Sequence, residues 1–157
     1  MMTITESKAH AVLIAAFLWL AIGTQFAQAQ TSRNEVLDEV VIVDRSECAV
    51  IRVKFNLPVK YKNHFPETAG KELRVYLAPV AVTAEERQQV VRSEYFSPPD
   101  SDIVEIAEII YEGRDVVEPY LTLLFAHPMK FSVKQGDDFR SVIISVYLPE
   151  AKNGCMP

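Results

Sequence analysis

Apolar and polar side chains alternate at every second position in several short runs, the periodicity of strands that bury one face. In Cys48 to Phe55, Ile51, Val53 and Phe55 point one way while Val50, Arg52 and Lys54 point the other. Glu72 to Leu77 sets Leu73, Val75 and Leu77 against Glu72, Arg74 and Tyr76. Val104 to Ile110 is apolar at Val104, Ile106 and Ile110, and Glu108 breaks its rhythm. Leu121 to Phe125, then Phe131 and Val133, then Val142, Ile144, Val146 and Leu148 supply three more strands, and Val36 to Val43 reads as an edge strand. Turn residues separate these runs at Asn56-Leu57-Pro58, Ala69-Gly70, Glu112-Gly113, His127-Pro128 and Gln135-Gly136-Asp137-Asp138.

About seven short strands joined by short loops predict a mainly β fold, an antiparallel β-sandwich or open barrel, rather than a parallel α/β sheet. One stretch departs from this rhythm. Thr83-Ala84-Glu85-Glu86 has capping-box spacing, in which Thr83 and Glu86 each satisfy the other's free backbone donor. Pro98-Pro99 forbids a long continuation, so the expectation is one inserted helix of two or three turns over Ala84 to Arg92, with Val90 and Val91 toward the core. No segment of 20 to 50 residues repeats, which excludes a solenoid.

The N-terminus has a different pattern. Met1 to His10 is polar with one basic residue, Lys8; Ala11 to Gly23 is apolar and small; Ala27-Gln28-Ala29 follows. These are the n-region, h-region and A-x-A site of a secretory signal, predicting cleavage after residue 29 and a mature chain starting at Gln30. An uncleaved N-terminal anchor is the rival reading. No later segment resembles a membrane span. Removing residues 1–29 from 157 leaves 128, expected to form a single domain, 30–157. The expected location is the periplasm, with secretion as the alternative.

Charge and cysteine content narrow the function. The 16 basic and 21 acidic side chains leave a net charge of -5, which argues against a general nucleic-acid binder. Both cysteines, Cys48 and Cys155, lie beyond the signal, and in an oxidising compartment an even count suggests a bridge. Closing a loop of about 100 residues is worth up to roughly 4.7 kcal/mol in the chain-entropy picture. Two unpaired thiols are the alternative.

Two stretches carry a resemblance. CAVIRVKFNLPVKYKNHFPETAGKELRVYLAPV (Cys48 to Val80) and YLTLLFAHPMKFSVKQGDDFRSVIISVYL (Tyr120 to Leu148) resemble a β-rich module of exported Gram-negative envelope proteins that often precedes tetratricopeptide repeats. The last hairpin is more distantly similar to AMIN modules, β-sandwich localisation domains of periplasmic amidases and pilus secretins. The resemblance implies non-catalytic binding to peptidoglycan or to envelope partners.

The side-chain inventory offers little for catalysis. Beyond the signal the only histidines are His64, in a polar segment, and His127, before Pro128, and there is no G-x-S-x-G elbow. Zinc, calcium-loop and phosphate-cradling motifs are missing; Asp100-Ser101-Asp102 and Gly136-Asp137-Asp138 read as solvated turns, and no cofactor is expected. A small hydrolase is therefore the least supported reading.

Surface recognition remains. Arg52, Lys54, Lys60, Lys62 and His64 form a stretch of one sign with Phe55, Tyr61 and Phe65 among them, whereas Asp100 to Glu118 is strongly acidic. Cations beside rings can hold carboxylates while a ring stacks on a sugar or peptide face. Arg52, Lys54, Lys60, Tyr61 and Lys62 are therefore the candidate contacts for an acidic cell-wall glycan or peptide; the plain alternative is solvated strand residues pairing across the sheet. A second class of function, a protein-protein adaptor of an envelope assembly, rests on Val40 to Val43, an apolar run flanked by Asp38, Glu39 and Asp44 that can lend its edge to another strand; the plain alternative is an inner strand of this same domain.

Overall fold

Alternation carries directly into the computed structural model, which describes residues 35–148. The expected signal segment and Cys155 lie outside the described residues. Eight strands form: β1 (Leu37–Asp44), β2 (Cys48–Phe55), β3 (Val59–Phe65), β4 (Ala69–Pro79), β5 (Ser93–Phe96), β6 (Ile106–Glu112), β7 (Tyr120–Gln135) and β8 (Ser141–Tyr147). One helix, α1 (Ala84–Gln89), interrupts them. Every pairing is antiparallel. The strand order is β1-β2-β8-β7-β4-β3, with β5 attached through β6 to β7. The sheet is not closed, and it folds over itself as an open β-sandwich, the expected class.

β7 makes this folding possible because it serves both halves. Tyr120 to Phe125 pair with β6 along one edge, Tyr120 to Leu124 pair with β4 along the other, and Lys130 to Gln135 pair with β8. Between these blocks the register against β4 jumps from Leu124↔Glu72 to Met129↔Gly70. Strands that change partners in this way build the corners of sandwiches. The turn expected at His127-Pro128 is instead this irregularity within one long strand. Pro128 is tolerated because it falls after the last β6 pair, Phe125, and before the first β8 pair, Lys130, where a missing N–H breaks no ladder bond.

The core lies between the two halves. Ile51, Val53 and Phe55 face Leu73, Val75, Leu77, Leu121, Leu123 and Phe125, all buried. The Phe125 and Phe131 rings stack at 6.0 Å on either side of the β7 irregularity. Fully burying each such side chain contributes roughly 1.5–3 kcal/mol. In β6 the expected phase is wrong beyond Ile106. A register shift between Ile106 and Glu108 turns Ile109 and Tyr111 inward and leaves Ile110 half-buried on the other side. Glu108, which broke the alternation, sits at that shift.

Two strands escaped the pattern. β3 (VKYKNHF) has few apolar positions, so in sequence it reads as part of a cationic surface stretch rather than as a strand, and its pairing carries a register shift between Tyr61 and Asn63. β5 has only four residues. Ala69-Gly70, expected as a turn, opens β4. The helix forms with its full capping box: the Glu86 amide donates to Thr83 Oγ1 at 3.1 Å, and the Glu86 carboxylate accepts from the Thr83 amide at 2.8 Å. It ends at Gln89, earlier than Arg92; Val90 packs against the core but Val91 is exposed. Among the described residues no helix is long and apolar enough to cross a membrane.

Candidate binding surface

The strand order decides which surface residues become neighbours. On the outer face of the β1-β2-β8-β7 half, register sets Val41, Arg52, Ile143 and Lys134 side by side in one row. Val43, Val50, Ser145 and Ser132 form the next. A groove of ≈ 300 Å³ opens over these rows, with Val41, Val43, Val50 and Ile143 as its apolar floor and Arg45, Gln135, Gly136 and Asp137 along its rim. Ile143 is almost fully covered, whereas Val41 and Val43 are 38% and 49% exposed. Arg52 and Lys134 flank Ile143 from opposite sides, two strand spacings apart, or about 10 Å. Among the described residues neither forms an ion pair. Two cations over an aliphatic floor can hold a carboxylate-bearing ligand that also has apolar surface.

The β7–β8 turn that closes one end of the groove is held from within. The Asp138 carboxylate accepts from the Ser141 hydroxyl at 2.7 Å and from the Arg140 amide at 2.9 Å. These bonds, led by that from Ser141, hold its carboxyl below the usual range, with a smaller contribution from the Arg52 charge. The residue is thus occupied in shaping the turn. Asp44 plays the same part beside Asp102, accepting from the Ser101 hydroxyl at 2.6 Å and the Asp102 amide at 2.7 Å. Among the described residues no three His, Cys, Asp or Glu side chains gather as a metal ion would require.

The five residues singled out from sequence do not share one environment. Arg52 lines the groove. Lys54 lies on the same outer face of β2, but its ammonium sits 3.0 Å from Asp38, which raises its pKa through a hydrogen bond and Coulomb attraction. Lys60, Tyr61 and Lys62 belong to β3, at the opposite end of the strand order. Lys60 is exposed, and Lys62 pairs with Glu118. Tyr61 packs against the core, with its hydroxyl 2.6 Å from His64 Nδ1, while His64 Nε2 lies 2.9 Å from the Glu67 carbonyl. A carbonyl only accepts, so in the neutral ring Nε2 carries the proton and Tyr61 donates to Nδ1. His64 also meets Phe131 edge-on. It therefore acts as a bracket between β3 and β7. His127 is exposed and edges a separate depression with Ser101, Asp102 and Met129.

Sequence reasoning missed Lys134 as a partner for Arg52. Its signal was present in the alternation of Phe131 and Val133, which puts Ser132 and Lys134 on the face away from the core. What was lacking was knowledge that β8 lies between β2 and β7. No family model, curated protein or solved structure matches the chain. The fold and surface together define a mainly β open sandwich with a groove lined by aliphatic and basic residues.

Proposed function

We propose that this chain is a non-catalytic binding module of the bacterial envelope, exported to the periplasm by its N-terminal signal, which recognises peptidoglycan or another acidic envelope ligand through the outer groove. The observation that carries this reading is the placement of Arg52 and Lys134 on either side of the buried Ile143. The lactyl and peptide carboxylates of a wall fragment suit two cations at that separation, and its apolar portions suit the valine floor. Lys60 belongs to a different strand and is a peripheral contact at most. A Cys48–Cys155 bridge accompanies export in this reading, and Cys48 is buried at the start of β2.

Sedimentation with purified sacculi tests the reading. Wild-type protein should co-sediment, and Arg52→Glu/Lys134→Glu should lose roughly tenfold or more in affinity, the equivalent of about 1.4 kcal/mol or more. Equal retention of both proteins would refute it.

A second reading, a protein-protein adaptor, is favoured by one feature of β1. Among the described residues it pairs only with β2, leaving an edge beside the exposed Val41 and Val43. Crosslinking in the native envelope separates the two. An adaptor should capture one protein partner and lose it in Val41→Lys, whereas a wall binder follows sacculi.

A further inference from the structure

The opposite half of the sandwich has a surface of different chemistry. Register across β5, β6, β7, β4 and β3 aligns Tyr95, Ile110, Thr122, Arg74 and Phe65 in one continuous outer row. The neighbouring row is Ser93, Glu112, Tyr120, Tyr76 and Asn63. Glu108, Leu124 and Glu72 begin a third. Tyr95 and Phe65 are 78% and 68% exposed although each is a large ring. Between them Tyr120 and Tyr76 lie 5.8 Å apart, and the Arg74 guanidinium stands 5.4 Å from the Tyr120 centroid. Arg74 is fixed there by Glu72, whose carboxylate accepts from its Nε at 2.5 Å.

Three adjoining depressions of ≈ 540, ≈ 270 and ≈ 440 Å³ follow these rows. The first two share Tyr95, Glu112 and Tyr120; the second and third share Glu72 and Arg74. With strands about 4.8 Å apart, Tyr95, Tyr120 and Phe65 stand at successive intervals of roughly 10 Å across the sheet.

We propose that this face is a second binding site, for an uncharged, β-linked oligosaccharide laid across the strands. Flat rings at regular intervals suit the C–H faces of successive pyranoses, as amphipathic Tyr suits surfaces that are apolar in the middle and wet at the edge. Most groups between the rings are hydrogen-bonding, with Ile110 and Leu124 the aliphatic ones among them. Glu72, Glu108 and Glu112 accept from sugar hydroxyls, and Arg74 donates to ring and hydroxyl oxygens. The carboxylates of Glu72, Glu108 and Glu112 are balanced by Arg74, Arg114 and Lys71 along the same depressions, so this face has no net charge and suits a neutral ligand, unlike the cationic groove. A protein partner would be expected to meet a more continuous apolar centre than Ile110 and Leu124 provide.

The test is calorimetric titration of the full chain with three probes: the β-1,4-linked N-acetylglucosamine hexamer, cellohexaose and polygalacturonate. At least one neutral hexamer should bind saturably, and polygalacturonate should not bind the Arg52→Glu/Lys134→Glu protein, in which the outer groove is disabled. Tyr95→Ala and Phe65→Ala should each weaken binding about tenfold or more. Tyr95→Leu, which keeps apolar area but not the flat ring, should weaken it similarly, and Arg52→Glu/Lys134→Glu on the opposite face should leave it unchanged. Both aromatic positions are exposed, so urea midpoints of these variants should match wild type. Absence of binding by both neutral hexamers, or binding indifferent to Tyr95 and Phe65, overturns the proposal. Preference of the Arg52→Glu/Lys134→Glu protein for the polyanion overturns it as well.

Discussion

Removing the Glu94 side chain should open the seam between the two halves of the sandwich. Glu94 sits on β5 opposite Tyr111, so its carboxylate points toward the interior. There it accepts from the Val36 amide at 2.7 and 2.9 Å, through both oxygens, and from the Leu37 amide at 2.9 Å. Val36 precedes and Leu37 opens β1, which among the described residues otherwise reaches the sheet through β2. One side chain thus ties the edge of one half to the edge of the other. In Glu94→Ala two donors on buried residues lose their acceptor, at about 1–3 kcal/mol each. Glu94 is only half-buried and water can replace part of the bonding, so the expected loss is about 2–3 kcal/mol, a large share of a typical domain's stability. At a slope of about 1–3 kcal/mol per molar urea, the unfolding midpoint should fall by roughly 0.7–3 M.

The pH dependence gives this argument a sign. Burial raises the Glu94 carboxyl above its ordinary value of 4.5; the Leu37 and Val36 bonds and Arg92 oppose the shift, and Glu35 adds to it. The folded protein therefore holds this proton more tightly than the unfolded chain, and stability must fall as pH rises from 4.5 through the raised value. Urea midpoints of wild type should decline over that window relative to Glu94→Gln, which has no proton to lose. The reasoning fails if Glu94→Ala unfolds within about 0.5 kcal/mol of wild type, a shift typical of an indifferent surface position.

Two further outcomes follow from the groove's surroundings. Hydrogen bonding, led by that from Ser141, depresses the Asp138 carboxyl below its ordinary 3.8, so its stabilisation is complete above that value and is lost as pH falls through the folded one. Acid titration of urea midpoints should therefore show wild type losing stability below about pH 4 faster than Asp138→Asn, and parallel curves would contradict the assignment. Free-thiol titration of the unreduced, exported protein should find no reactive sulfhydryl if Cys48 and Cys155 are joined; two would refute the bridge.

Local chemistry fixed much of this molecule before any long-range contact formed. The inward faces of β2 and β4 follow from side chains alternating on a pleated backbone, and the Thr83–Glu86 capping box starts α1 because its donors and acceptors lie within one turn. The mainly β class was legible for the same reason. Where local and tertiary forces competed, the pattern misled. Glu108 marks a register shift that reverses the inward face of β6, and Pro128 lies inside β7 because the surrounding ladder does not need its N–H. β3 stayed hidden because an edge strand need bury few side chains, so its lysines read as a patch. The binding surfaces lay furthest from local reading. Arg52 and Lys134 meet only because β8 comes between β2 and β7, and Tyr95 joins Phe65 only through three intervening strands. Cross-strand neighbours are chosen by pairing between distant segments, and the cooperative burial of the whole core sets that pairing.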